Sequence, residues 1–378
     1  MNIVIYRVIW TSLIFAFLVN HCQAEKIPLP PTFITQDIIA ASAISHNPSR
    51  FEIDAGGCVG GFNNIRSIWS LASKDQSPIR VDSDRPYARL RFGQWARLSN
   101  KNWFVAIGSG FRDEYDGNQD AAQLYVDLRT RLRSQDDYAP IASDLHVAAS
   151  WYGVGKQIDF KMGAIDTSTQ VMARYLRMTD LLARDLEGSL TTEEFSGNIR
   201  ILSSDYSDRV FGSGWALDFR STFKANNTWE GLVAVEGLLG CAKWENLADR
   251  NLYLRSAYVF TDPDGFYRDA GGLSGTTQKR NLTLDINRHC RFELMRKSKT
   301  VYLLGGMSWQ EGYDSVPDFG VAVKKYKSIT PYTRVYPTEN RVELGATGRG
   351  WHLAFSGDSW LFASPKNATV DLSAALVW

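Results

Sequence analysis

His146 and Ser150 sit four residues apart in a stretch that also holds Asp144, and serine, histidine and aspartate are the side chains of nucleophilic hydrolysis. The spacing argues against that use. On an extended chain residues i and i+4 lie about 13 Å apart, whereas a nucleophile and its base must approach to about 3 Å. Beyond residue 24 the histidines are His46, His146, His289 and His352, with no short pair that marks a metal site. Asp262, Asp264 and Asp269 around Gly265 match a calcium loop only in outline, because Pro263 interrupts it and the closing glutamate is missing. Gly56-Gly57 and Gly271-Gly272 lack the strand and helix that flank a nucleotide loop. No cofactor and no metal is called for, and the expectation is a protein that is not an enzyme. Arginine is the chemistry that remains. Arg89, Arg91, Arg129, Arg131, Arg133, Arg220 and Arg255 all fall on the polar face of an alternating segment.

Those segments have period two, which gives a strand one apolar and one polar face. In 86–98, Ala88, Leu90, Phe92, Ala96 and Leu98 oppose Tyr87, Arg89, Arg91 and Trp95. In 121–133, Ala122, Leu124, Val126, Leu128 and Leu132 oppose Gln123, Tyr125, Asp127 and the three arginines. Segment 143–152 sets Leu145, Val147, Ala149 and Trp151 against His146, Ala148, Ser150 and Tyr152, and 214–224 sets Trp215, Leu217, Phe219 and Phe223 against Asp218, Arg220, Thr222 and Lys224. Similar runs recur at 51–59, 102–111, 228–240, 251–260, 301–309, 318–326, 341–346 and 369–378. Such lengths exceed the five or six residues of an ordinary strand and suit a tilted membrane span of about 9–11. Tight turns fall at Ser99–Lys101, Lys224–Asn227, Arg296–Lys299 and Thr347–Gly350, with long polar stretches between other runs. The leucines at 176, 181, 182 and 186 predict instead a helix over 176–195.

Composition bounds the rest. The chain has 378 residues, of which 12 are Trp, 16 Tyr and 19 Phe, and 44% hydrophobic content excludes a disordered chain. Met1 to Ala24 carries Arg7, an apolar run and a small-X-small end, the pattern of a cleaved secretory signal. Its removal leaves 41 basic residues against 41 acidic ones, so charge offers no case for nucleic acid. Cys58, Cys241 and Cys290 remain and allow at most one disulfide. Residues 25–50, rich in proline at first, read as an N-terminal periplasmic lead, and 51–378 as the folded unit.

The end of the chain sharpens this. Val370, Leu372, Ala374, Leu376 and Trp378 occupy one face of the last run. An aromatic residue closing an alternating strand resembles the terminal signal of bacterial outer-membrane β-barrel proteins. That resemblance implies an all-β, transmembrane, antiparallel up-and-down barrel in the outer membrane. It also implies lipid and the barrel-assembly machinery as partners. Closure follows physically as well, since only a closed sheet pairs every backbone group in lipid. At about 20–22 residues per strand and loop, residues 51–378 make about 16 strands, within 14–18. Trp103, Trp151, Trp215, Trp229, Trp309 and Trp378, near strand ends, read as an interfacial girdle. A soluble secreted β-protein binding carbohydrate through its aromatics is the alternative architecture.

An arginine facing lipid costs about 2–4 kcal/mol near the midplane, so a barrel must turn these inward. An open lumen lined by them favours small or anionic solutes, which makes a porin-like channel the leading function. Neutralisation by Asp127, Asp218, Glu236 and Glu293 instead makes a stiffened barrel that anchors a larger envelope assembly.

Overall fold

The computed structural model describes residues 26–27, 51–65, 81, 83–100, 102–130, 134–191, 194–204, 209–256, 259–261, 267–269, 272–324, 329–358 and 366–377. The proposed signal, most of the lead, the residues around Asp262–Gly265, and Arg131, Arg133 and Trp378 lie outside them. In chain order the strands are β1 (Phe51–Asn63), β2 (Tyr87–Asn100), β3 (Trp103–Gly117), β4 (Ile141–Met162), β5 (Ile165–Leu190), β6 (Phe195–Ser203), β7 (Gly212–Ala225) and β8 (Trp229–Ser256). They continue as β9 (Gly272–Ile286), β10 (His289–Lys297), β11 (Val301–Gln310), β12 (Val316–Val323), β13 (Thr330–Tyr336), β14 (Arg341–Gly348), β15 (Trp351–Gly357) and β16 (Asn367–Val377). One helix, α1 (Gln119–Thr130), follows β3.

Fourteen of these close a ring of antiparallel neighbours, with β16 paired to β1 over Asn367↔Phe62 to Val377↔Glu52. The ring falls within the expected range, and the total of 16 is reached with β6 and β9, which stand outside it. Within the barrel chain both pair with the upper reaches of the longest strands: β6 lies between β5 and β8, and β9 lies against β8. Strands β4, β5 and β8 have 22, 26 and 28 residues, whereas β12 to β15 have 7 or 8. The wall is therefore tall on one side, where it continues into an extension above the ring. Lys26–Ile27 pair in parallel with Asp285–Ile286 of β9, so this part of the lead is joined to the sheet.

Both ends of the barrel chain and the short turns lie at one end. Asn226 and Gly350 take the left-handed conformation there, at φ 55° and 79°, which a tight two-strand reversal requires. The long connections and α1 occupy the other end. Short turns mark the periplasmic side of such barrels.

Two expectations of secondary structure fail, for definable reasons. Residues 121–133 are not a strand. Ala122 and Val126 are four apart, a spacing that a period of two and a helical turn both satisfy, and both are buried against Val81. The choice is made by capping: the Asn118 side chain accepts the Ala121 amide at 2.9 Å, and Gln123 donates to Asp127 one turn on at 2.7 Å. The helix expected over 176–195 is strand β5, because β4 and β6 supply backbone partners on both sides.

Exposure follows the period-two pattern around the ring. Ile53, Leu90, Leu98, Val105, Ile107, Val154, Val171, Leu303, Phe319, Val321, Leu344 and Leu372 are exposed on the outer face. Val370, Leu372 and Ala374 share that face on β16, and the backbone of Leu376 continues the register opposite Ile53. Trp103, Trp215 and Trp229 are also outside, Trp103 at 58% exposure. Trp151 is not: it points inward at 1%, together with Val147 and Ala149, so the assumed outer face of β4 is its inner one. The lumen is narrow enough to be packed, and the opposite face, with Tyr152 and Val154, is apolar too. Cys58, Cys241 and Cys290 are all free. A closed ring with an apolar outer belt is the architecture of a membrane-spanning β-barrel.

Candidate functional site

The inward positions of the ring carry charge in layers. At the periplasmic end Arg97 of β2 donates to Asp54 of β1 at 2.8 Å, beside the fully buried Glu52. One band spans the tall wall. Arg174 of β5 meets Asp218 of β7 at 2.6 Å and Glu236 of β8 at 3.4 Å. The Arg174 guanidinium lies 5.5 Å from the Trp151 ring centroid, and the Gly237 amide donates to Asp218 at 2.8 Å. A second band spans the short wall. There Arg334 of β13 donates to Glu293 at 2.6 Å and to Asp318 at 2.8 Å, and Arg291 reaches the other Asp318 oxygen at 2.7 Å. Glu343 closes this band by accepting from the Tyr336 hydroxyl at 2.9 Å. These groups are buried, so each charge needs its partner to offset the loss of water.

Against the bands, whose Glu236, Arg291 and Glu343 form part of its wall, lies a cavity of about 280 Å³, to which Asp314, Glu339 and Asp371 add further carboxylates. Its wall includes Arg89 and Arg91 of β2, Arg112 of β3, Arg341 of β14, His289 of β10 and His352 of β15. Alternation on β2 aims Tyr87, Arg89 and Arg91 at the same space, while Leu90 goes to lipid. The arginines lie against aromatic faces. Arg89 is 3.9 Å from the Tyr313 ring centroid and 4.7 Å from that of Tyr87, Arg91 is 5.0 Å from Phe62, and Arg341 is 3.6 Å from Tyr336.

Their pairing differs. Arg341 donates to Glu339 and Ser356, each at 2.8 Å, and Arg112 binds Glu114 at 2.5 Å and Gln310 at 2.8 Å. Among the described residues Arg89 has one carboxylate within 4.0 Å, that of Asp116 at 3.9 Å, and Arg91 has none. The Nε atoms of both are buried without a hydrogen-bond partner. Such guanidiniums offer donors to an incoming acceptor. Tyr313, in the connection after β11, donates its hydroxyl to Glu114; burial first, and that carboxylate second, push its ionisation upward. It stays a neutral donor at ordinary pH.

The structure sorts the expected lumen arginines. Arg89 and Arg91 line the cavity. Arg220 points inward on β7, buried two residues from Asp218 and outside the cavity lining. Arg255 lies at the top of β8, exposed and opposite Gly272 in the extension rather than in the lumen. Arg129 lies on α1, not on a lumen strand, and Asp127 on the same helix binds Gln123, Ser134 and Tyr138 instead of neutralising the barrel. Asp218, Glu236 and Glu293 do sit in the bands. The arginines they meet, Arg174, Arg291 and Arg334, were not singled out by sequence. Arg334 had a signal, as the lone charge of β13, whereas Arg174 and Arg291 share their strands with several other charges and had none.

His146 points outward and pairs with Asp113, with Asp180 4.0 Å from its other nitrogen. Asp144 is held by Arg184, and among the described residues no hydrogen bond joins His146 to Ser150. Also among the described residues, no three His, Cys, Asp or Glu side chains are placed to hold a metal ion.

No protein-family model and no curated protein matches the chain. Among solved structures it is similar to the deltaS2 mutant of the TodX monoaromatic hydrocarbon channel, at 10% identity over 94% of this chain and 95% of that one, with a TM-score of 0.46. It is also similar to the P. putida toluene transporter TodX, at 11% identity over 89% and 92%, TM-score 0.43. The translocator domain of the autotransporter NalP from Neisseria meningitidis follows at 9% identity over 90% and 91%, TM-score 0.31. These likenesses are to barrels in general and do not say what this lumen holds.

Proposed function

We propose that the barrel is a selective, normally closed channel for small organic anions with an apolar or aromatic body. The cavity beneath the long loops is its binding site. The observation that carries this is the pair Arg89 and Arg91, which line the cavity, rest on Tyr87, Tyr313 and Phe62, and among the described residues have a single carboxylate within 4.0 Å between them, that of Asp116 at 3.9 Å from Arg89. An anionic head group meets the guanidiniums and a flat body meets the rings. The two ionic bands below form the barrier, and passage requires them to part. Outer-membrane lipid and the barrel-assembly machinery are the proposed partners, with envelope proteins meeting the tall extension.

Benzoate binding to the purified barrel in detergent tests the site. Hydrogen bonds to charged groups are worth about 1.5–3 kcal/mol, so Arg89→Gln/Arg91→Gln is expected to weaken benzoate at least tenfold. Benzyl alcohol, which lacks the charge, is expected to bind weakly to both forms. Equal benzoate affinity in the wild type and the double variant refutes the assignment. A second reading, a closed barrel that serves as an anchor, is favoured by the near-neutral bands. Planar-bilayer recordings separate the two. Anion-selective openings support the channel, and a bilayer that stays silent supports the anchor.

A further inference from the structure

The outer wall changes character abruptly on its tall side. Tyr152 of β4, Tyr175 of β5 and Trp215 of β7 are aligned in register, and each is more than half exposed on the lipid-facing side. The next outward position on β5 is Arg177 and on β7 is Ser213, and these two are again paired. Ser213 is paired on its other side with Lys243 of β8. The face thus passes from aromatic to cationic within two residues, about 7 Å of strand.

The height of this step is defined. Twelve residues separate Ile165, at the periplasmic turn, from Arg177. They span about 40 Å of strand, or about 30 Å of vertical rise at the usual tilt of about 35–45°. The apolar belt of such barrels is about 25 Å tall. Tyr175 and Trp215 therefore sit at its upper edge, and Arg177 stands at the level of the outer-leaflet head groups.

A third basic group converges there. Phe211, exposed just before β7, has the Arg177 guanidinium 4.9 Å and the Arg209 guanidinium 5.4 Å from its ring centroid. Two like charges are gathered on one ring, with a third one strand further along. Among the described residues none of Arg177, Arg209 and Lys243 forms an ion pair. Like charges brought together without a counter-charge repel unless an anion joins them.

We propose that Arg177, Arg209 and Lys243 form an outer-wall site for the phosphate groups of an anionic glycolipid of the outer leaflet, whose acyl chains lie along Tyr152, Tyr175 and Trp215. The ligand is a membrane lipid rather than free phosphate, because the basic groups lie directly above an apolar aromatic surface that only an amphiphile covers. The site is on the lipid-facing side of the wall and shares no residue with the cavity.

The test uses the full chain in detergent micelles with fluorescent bis-phosphorylated lipid A as the probe. Monophosphoryl lipid A and phosphatidylcholine serve as comparisons. The bis-phosphorylated form is expected to bind tightest. With each basic side chain near a charged lipid surface contributing about a fivefold factor, Arg177→Gln and Arg209→Gln should each weaken it by about that much. The double variant should weaken it about 25-fold if the two act independently. Phe211→Leu keeps both charges but removes the ring that gathers them and is expected to have an intermediate effect. All of these side chains are exposed, so heat-modifiable gel migration should show an intact barrel throughout. An unchanged affinity in the folded double variant overturns the proposal. So does displacement of the lipid by about 1 mM inorganic phosphate, because the site would then be one for free anions.

Discussion

Replacing Arg334 by methionine tests whether the lumen is held by its charges. Arg334 is 1% exposed and joins Glu293 at 2.6 Å and Asp318 at 2.8 Å. In the wild type two guanidiniums, those of Arg291 and Arg334, face the carboxylates of Glu293, Asp318 and Glu343. Arg334→Met leaves Arg291 alone with them in a buried position. Removing one partner of a buried ion pair costs about 3–5 kcal/mol, most of it the penalty of the stranded charge. The penalty should therefore fall when the stranded charge is also removed. Arg334→Met/Asp318→Asn is expected to recover about half of the loss. The assay is urea unfolding of the barrel in detergent, followed by tryptophan fluorescence and by heat-modifiable migration. A loss below about 1 kcal/mol in the single variant, or a double variant no more stable than the single, refutes the view that these pairs hold the lumen shut.

Three further outcomes are expected. In the extension, Arg200 first, and Arg280 after it, hold the Asp249 carboxyl below its ordinary value of 3.8. A depressed carboxylate stabilises above its unfolded pKa and loses that contribution as pH falls through its folded one. Protection of the β6 amides relative to their intrinsic exchange rates should therefore be flat from pH 7 to about 5 and fall below about 4, and Asp249→Asn should lower it at neutral pH. Tyr313→Phe keeps the ring under Arg89 and should leave benzoate affinity nearly unchanged, whereas Tyr313→Ala should weaken it by a cation–π contribution of about 0.5–2 kcal/mol, as calorimetry would show. Asn118→Ala removes a cap from α1 and should reduce the protection of Ala121 and Ala122 to exchange by about 1 kcal/mol.

Much of the barrel is legible along the chain because alternation and pairing obey the same period. The lipid face of β2, with Leu90 and Leu98, is read correctly from spacing alone, as are the tight turns after Asn100 and around Asn226. Spacing misleads where two periods coincide. Ala122 and Val126 fit a strand as well as a helix, and the side chain of Asn118, just upstream, decides between them. It misleads again on β4, whose two faces are both apolar, so hydrophobicity alone does not tell lumen from lipid. There Trp151 goes inward beneath Arg174, and Tyr152 goes out.

The candidate site divides in the same way. Arg89 and Arg91 are recognisable as inward charges from β2 alone, because the energetic cost of facing lipid is a property of the residue and its strand. What neutralises a charge is not such a property. Arg334 meets Glu293, which lies three strands away in the ring and 41 residues earlier in the chain. Arg174 meets Asp218 across one strand boundary, 44 residues later. Local alternation sets which face a side chain takes, because backbone geometry repeats every two residues. Ring closure and strand stagger set which charges share a level. These place Arg89 and Arg91 around a cavity, Arg174 and Arg334 in closed ionic bands, and Arg255 above the ring altogether.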